Sequence, residues 1–246
     1  MYMYVFRSLF LGLLYGSVWW NLPTGRQSAA VSGRLGLLFL NVLDQVIFSF
    51  ATIALIFKER KNLYRELENK SISPTGYWLS VWIPQAIIFI PITLLLAIIV
   101  YFMATLRNGF QYFIAYYFIL LMVNYNGMFI AILTSSLTSS IQSAVSVFSV
   151  ILVFSLLYMG FLIEFSILDE WQEKWIPYLN FMRYAYQGLC LNELDHNGDI
   201  YNTDYVLSYK VLKFRTVSFA SCVGLLVLFM LIYAILSMLA NHYVKH

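Results

Sequence analysis

The sequence predicts an all-α membrane protein of six transmembrane helices, with a short charged helix on the cytosolic side after the second span and a long outer loop before the last. Three observations carry this. Of 246 residues, 61% are hydrophobic and 11% charged, whereas an ordinary soluble domain carries ~25% charged residues. Six apolar runs approach the roughly 20 residues that a helix needs to cross a ~30 Å hydrocarbon core. The only dense charge cluster between two of them, residues 58–70, holds five bases (Lys58, Arg60, Lys61, Arg65, Lys70) against three acids. Basic excess marks cytoplasmic loops, so this segment identifies the cytosolic side.

The first apolar run, 5–20, starts almost at Met1 with no cleavage-site pattern behind it, which reads as a span rather than a signal peptide. It is short for a span, so part of its cytosolic approach is expected before Met1. Gly12 and Gly16 give it a small-xxx-small face suited to close helix packing. The second span is 35–57 and leads into the cytosolic segment 58–76. If helical, that segment sets Leu63 and Leu67 one turn apart beside Tyr64, with Glu66 and Lys70 at the favourable i, i+4 spacing. It is either a knob that docks a partner or a charged loop that sets topology.

Ser73 and Pro74 supply an N-cap and a first-turn proline for the third span, 77–103. Pro84 and Pro91 inside it each remove a backbone hydrogen bond and favour a kink. The fourth span is 110–133, opened by the aromatics Phe110, Tyr112, Phe113, Tyr116, Tyr117 and Phe118 as an interfacial belt. A hydroxyl-rich inner turn leads to the fifth span, 143–163. The outer loop, 164–213, carries eight acids against Lys174, Arg183, Lys210 and Lys213. The sixth span, 217–240, returns the chain to the cytosol, so the protein is multi-pass with both termini cytosolic.

Asp44 is the only acid inside an expected span. An intramembrane carboxylate faces a bundle interior or a water-filled path, so Asp44 serves either a polar transport cavity or a hydrogen bond to a neighbouring helix, and Asn41 and Gln45 fit both. His196, His242 and His246 have no ligand partners at metal-site spacing, and no metal is expected. Cys190 and Cys222 are too few for a disulfide framework and read as packed thiols, with a bridge from Cys190 to another subunit as the alternative. The net charge of +3 is an orientation signal, not a nucleic-acid footprint. Neither a phosphate-cradling glycine loop nor a nucleophile elbow is present, so no catalytic residue is assigned.

Several motifs in collinear order resemble those of one family. Glu59-Arg60, Arg65-Glu66 and Tyr77-Trp78-Leu79 resemble the ER-x4-RE and Y-aromatic-L pattern of the ABC-2 type transmembrane domain of the ABC transporter G (White) subfamily. Arg34-Leu35-Gly36-Leu37-Leu38-Phe39 is similar to the entry to its second helix, and Val100-Tyr101-Phe102-Met103 to the end of its third. Trp171, Trp175, Tyr178, Arg183-Tyr184-Ala185-Tyr186, Gly188 and Asn192-Glu193 resemble its outer-loop signature. The chain departs from the pattern at Lys70-Ser71-Ile72, where the family has Gly-x-Tyr, and Pro84 and Pro91 stand one residue further apart than usual. The ATP-binding domain that the family carries before the first helix, with its Walker and signature motifs, is not among these residues. The expectation is a stand-alone permease subunit, a domain of a longer half-transporter or a truncated gene product.

The resemblance implies that the charged segment is a coupling helix, with Glu59, Arg60, Leu63, Tyr64, Arg65 and Glu66 contacting an ATP-binding domain in cis or in trans. It implies a homo- or heterodimer of half-transporters whose central cavity is lined by Asp44 and Ile47, closed by Phe161 and Leu162 as an outer gate. ATP and magnesium would sit on the partner domain, with no cofactor on this chain. Membrane lipid and a lipid, sterol or hydrophobic small molecule are the other expected partners, and nucleic acid is not. The rival readings are an inactive or truncated fragment acting as a membrane scaffold, and an intramembrane lipid acyltransferase, for which Asp44 and the outer-loop acids are the sole candidates.

Overall fold

The structure, a computed structural model, describes residues 2–22, 28–69, 73–163, 171, 175–194 and 218–243, and at 28–30, 61–64, 66–68, 74 and 243 the backbone alone. The described residues form helices with no strand. They are α1 (Tyr2–Val18), α2 (Ser28–Ile47), α3 (Phe50–Glu68), α4 (Pro74–Met103), α5 (Phe110–Leu137), α6 (Ile141–Leu157), a 3-10 turn (Ile176–Leu179), α7 (Phe181–Leu194) and α8 (Phe219–Tyr243).

Helix occupies most of the described residues of the expected spans, and four helical stretches are long and apolar enough to cross a bilayer: Val31–Arg60, Thr75–Met103, Phe110–Leu137 and Phe219–His242. α1 and α6 have 17 residues each, or about 25 Å at 1.5 Å per residue. The protein is therefore an integral membrane protein. Outward-facing Phe6, Phe10, Leu13, Val150, Leu231 and Ile235 suit contact with acyl chains, where lipid satisfies the apolar surface and only close packing and polar links hold helix to helix.

Local chemistry sets the helix ends. Ser73 Oγ accepts from the Gly76 N–H at 3.1 Å with Pro74 in the first turn, as the capping pair predicts. Ser140 caps α6 through the Ser143 N–H at 3.2 Å. At the other end of α6, Gly160 takes a φ of 98°, a conformation costly for a residue with a Cβ, and turns the chain out of the helix. α4 stays helical through Pro84 and Pro91. Hydroxyls of α5 reach the stretch between these prolines: Tyr125 donates to the Ala86 carbonyl at 3.2 Å and Tyr117 to that of Ile90 at 3.1 Å.

α5 is the axle of the bundle, buried along most of its length and touching α2, α3, α4, α6, α7 and α8. α1 packs on α4 through the small-residue face: a Cβ on Gly12 would lie 3.3 Å from Ile99, and one on Gly16 2.5 Å from Met103 Sδ. Beyond them, Asn21 and Leu22 donate to the carbonyls of Met103 and Ala104 at 3.0 and 3.4 Å. α1 and α4 therefore run parallel. α8 ends beside α5, where Ser136 Oγ donates to Asn241 Oδ1 at 2.9 Å. α1 thus starts and α8 ends toward the end of the bundle that carries Arg60, with Arg34 at the opposite end.

Three features depart from the sequence expectation. The second span, expected unbroken over 35–57, bends at Phe48 and Ser49. There Ser49, Ala51 and Thr52 donate three residues back, to Val46, Phe48 and Ser49, at 3.0–3.1 Å. The bend seats against Gly127 of α5, where a Cβ would collide with Ser49 Oγ and come within 3.5 Å of the Val46 Cα. Second, the charged segment is no separate helix, because α3 runs on from the span to Glu68. Third, the region expected as an extramembrane loop contains α7, which is almost wholly buried and packs against α2, α5, α6 and α8. Its Gly188 allows the approach, since a Cβ there would stand 3.1 Å from Ile119 of α5. Residues 164–170, 172–174 and 195–213 of that loop, with His196, lie outside the described residues, as do Lys70-Ser71-Ile72 and His246.

Candidate functional site

At the Arg60 end, α3 emerges from the bundle with Glu59 and Arg65 exposed. Arg60 turns back, donating to the Thr138 carbonyl at 2.8 Å and that of Ser139 at 3.4 Å, with its guanidinium 4.8 Å from the Phe57 ring centroid. It thereby closes the C-terminal end of α5, whose last carbonyls have no helical partner, and ties α3 to the turn between α5 and α6. The side chains of Leu63, Tyr64 and Glu66 lie outside the described residues.

Midway along the bundle, the Asp44 carboxylate pairs with Arg7 of α1. Arg7 also donates to the Asp44 carbonyl at 3.0 Å and lies 4.3 Å over the Phe48 ring, which Tyr4 and Phe89 hold at 5.2 and 4.9 Å between centroids. Asp44 is 4% exposed and Ile47, one turn on, is 42% exposed. Beside the pair, Gln45 Oε1 accepts from Asn124 at 3.0 Å and Thr93 at 3.3 Å, and Thr52 donates to Gln85 at 2.8 Å. These links join α2, α3, α4 and α5. Sequence reasoning missed Arg7, although a lone base in the first apolar run was the signal: an intramembrane acid normally has a partner.

A second ionic centre lies at the Arg34 end. Arg34 of α2 pairs with Glu193 of α7, the two being 1% and 3% exposed, and also donates to the carbonyls of Leu22 and Thr105 at 3.2 and 3.3 Å. The other oxygen of Glu193 accepts from the Arg107 backbone N–H at 2.9 Å. Arg107 reaches the Asn192 carbonyl at 3.1 Å and Tyr112 Oη at 2.8 Å, and Asn192 donates to the Tyr112 carbonyl at 3.0 Å. Burial pushes the Glu193 carboxyl above its ordinary value, while the Arg107 N–H and the Arg34 guanidinium pull it back. The residues of two separate motifs, Arg34 and Asn192-Glu193, thus meet in one centre that gathers both interhelical turns and α7.

The other outer-loop residues take separate places. Arg183 lies 4.6 Å over the Tyr178 ring, Tyr184 donates to the Tyr178 carbonyl at 3.1 Å, and Trp171 and Trp175 stand exposed, 6.4 Å apart. Phe161 stacks on Phe39 at 4.5 Å and meets the edge of Tyr186 at 6.1 Å, while Leu162 is exposed. Cys190 and Cys222 are buried free thiols. No group of three or more His, Cys, Asp or Glu able to hold a metal occurs among the described residues.

Comparison with known proteins agrees with the motif series. A family model described as ABC-2 type transporter matches residues 1–194. The chain is 30% identical over 199 residues to ABC transporter G family member 5 of Dictyostelium discoideum, covering 79% of this chain and 13% of that protein. It is 26% identical over 193 residues to Multidrug resistance protein CDR2 of Candida albicans, covering 77% and 12%, and 24% identical over 184 residues to ABC transporter G family member 7 of Arabidopsis thaliana, covering 74% and 25%. The chain thus spans a quarter or less of the length of these relatives.

Proposed function

This chain belongs to the ABC-2 type transporter family, and from that premise we propose that it is the membrane-spanning permease domain of an ATP-driven exporter of the G or White type. It works as a dimer with two ATP-binding domains supplied in cis or in trans, which carry ATP and magnesium. Its substrates are bulky apolar or amphipathic molecules such as lipids, sterols or hydrophobic small molecules. The observation that supports this reading best, beside the family match, is the unbroken run of α3 from the bend at Ser49 to Glu68.

A helix is stiff, so force on its charged end reaches the bend inside the bundle rather than dissipating in a loop. ATP-driven closure of the partner domains would push Glu59 and Arg65 at the cytosolic face, and Arg60 would carry the displacement into the α5–α6 turn that it caps. The substrate path runs along the open face of α2 and α3 at Ile47 and along α6, with Phe161 and Leu162 above it.

The test is co-reconstitution of the chain with a G-type ATP-binding domain in vesicles. Glu59→Ala and Arg65→Ala should leave ATP turnover within about twofold of wild type and abolish ATP-dependent transport. Full coupling in both variants overturns the lever.

A further inference from the structure

Asp44 is the one charged residue between Arg34 and Lys58, and α6 has none from Ile141 to Leu157. On α2, Asp44 stands one helical turn after Leu40 and one before Ile47, so its backbone belongs to the border of the open face that those residues form. Its carboxylate nevertheless faces away from it. Arg7 holds both the side chain and the backbone carbonyl of Asp44, Gln45 Nε2 stands 3.5 Å from Oδ2, and the guanidinium lies over the Phe48 ring, which Tyr4 and Phe89 flank. The faces of α2 and α6 left open present Ile47, Val147, Val150 and Val153, with Leu40 and Leu43 half-buried beside Ile47.

We infer that Arg7 is a specificity-determining residue: by withdrawing the Asp44 carboxylate to the α1 side it leaves the substrate path electrically neutral, so that the permease selects uncharged amphiphiles over cationic or anionic ones. The inference rests on the exporter reading above. In a low-dielectric path an exposed carboxylate would attract a cation and an unpaired guanidinium an anion, each with an energy that water would largely screen. Pairing cancels both attractions, with Asp44 buried and Arg7 only partly exposed.

Removing either partner should therefore charge the path with the sign of the one that remains. The experiment uses the dimeric transporter with its ATP-binding domains, reconstituted in phosphatidylcholine vesicles. The probes are a long-chain alcohol, an alkyltrimethylammonium and an alkyl sulfate of equal chain length, each at tracer level. Wild type should move the alcohol in preference to both ions. Arg7→Gln should raise the ratio of ammonium to alcohol transport on the order of tenfold, and Asp44→Asn the ratio of sulfate to alcohol by a similar factor, the scale of close charge-pair couplings. The double variant, and the exchanged pair Arg7→Asp with Asp44→Arg, should keep wild-type selectivity.

Unchanged ratios in whichever single variant assembles as a folded dimer, or wild type moving an ion as fast as the alcohol, overturn the proposal. ATP-dependent movement of none of the three probes by wild type defeats instead the exporter reading on which it rests. Because the readout is a ratio of substrates, a loss of folded protein that lowers all three rates alike leaves it unmoved.

Discussion

Arg34 and Glu193, 159 positions apart in the chain, form a buried ion pair that closes the Arg34 end of the bundle. With Arg107 they tie together α2, the turn between α1 and α2, the turn between α4 and α5, and α7. A buried pair is worth little against an apolar replacement but much against the loss of one partner, because the survivor is left charged and unsolvated.

Glu193→Gln should therefore destabilise the protein by about 3–5 kcal/mol, while the double variant Arg34→Met with Glu193→Leu should lie much closer to wild type. Thermal unfolding in detergent, followed with a thiol-reactive dye, measures both. A double variant as unstable as the single one would show that the hydrogen bonds to Leu22 and Thr105 matter more than the pair.

Gly127 is the notch into which the bend of the second span fits. Gly127→Ala should cost about 1–3 kcal/mol, as overpacking of a tight interior does, and Ser49→Ala should recover part of the loss by removing the Oγ that the new Cβ meets. Additive effects in a double-mutant cycle would count against contact between these two residues.

Arg60→Ala removes a charged donor from the Thr138 and Ser139 carbonyls, a loss of about 1.5–3 kcal/mol for hydrogen bonds to a charged group. Hydrogen exchange should quicken in the turn between α5 and α6. Protection there equal to wild type would mean that the turn holds itself closed.

Cys190 is fully enclosed, and burial pushes its thiol well above the usual range. The thiolate is the reactive form, so raising the pH from 7 to 9 should leave Cys190 unlabelled by maleimide in the folded protein and reactive only after denaturation. Mass spectrometry of the labelled peptide decides this. Rapid labelling of native protein would reopen the possibility of a bridge from Cys190 to another subunit.

The apolar runs, the Ser73 and Pro74 cap and the charged segment at 58–70 could be read from the residues alone. Span length, capping and the charge bias of loops depend on chemistry within a few neighbouring positions. The partners of Asp44 and Glu193 could not be read that way, since they come from helices 37 and 159 positions away and only packing brings them within reach. The bend at Ser49 is likewise absent from the sequence pattern, because it depends on the missing side chain of Gly127 on another helix. Burial of α7 has the same origin: its polar residues match a solvated loop in sequence pattern, yet Arg34, Arg107 and Tyr112 satisfy them inside the bundle. Local composition determined that this chain enters a membrane, and long-range packing decided which of its charges stay hidden there.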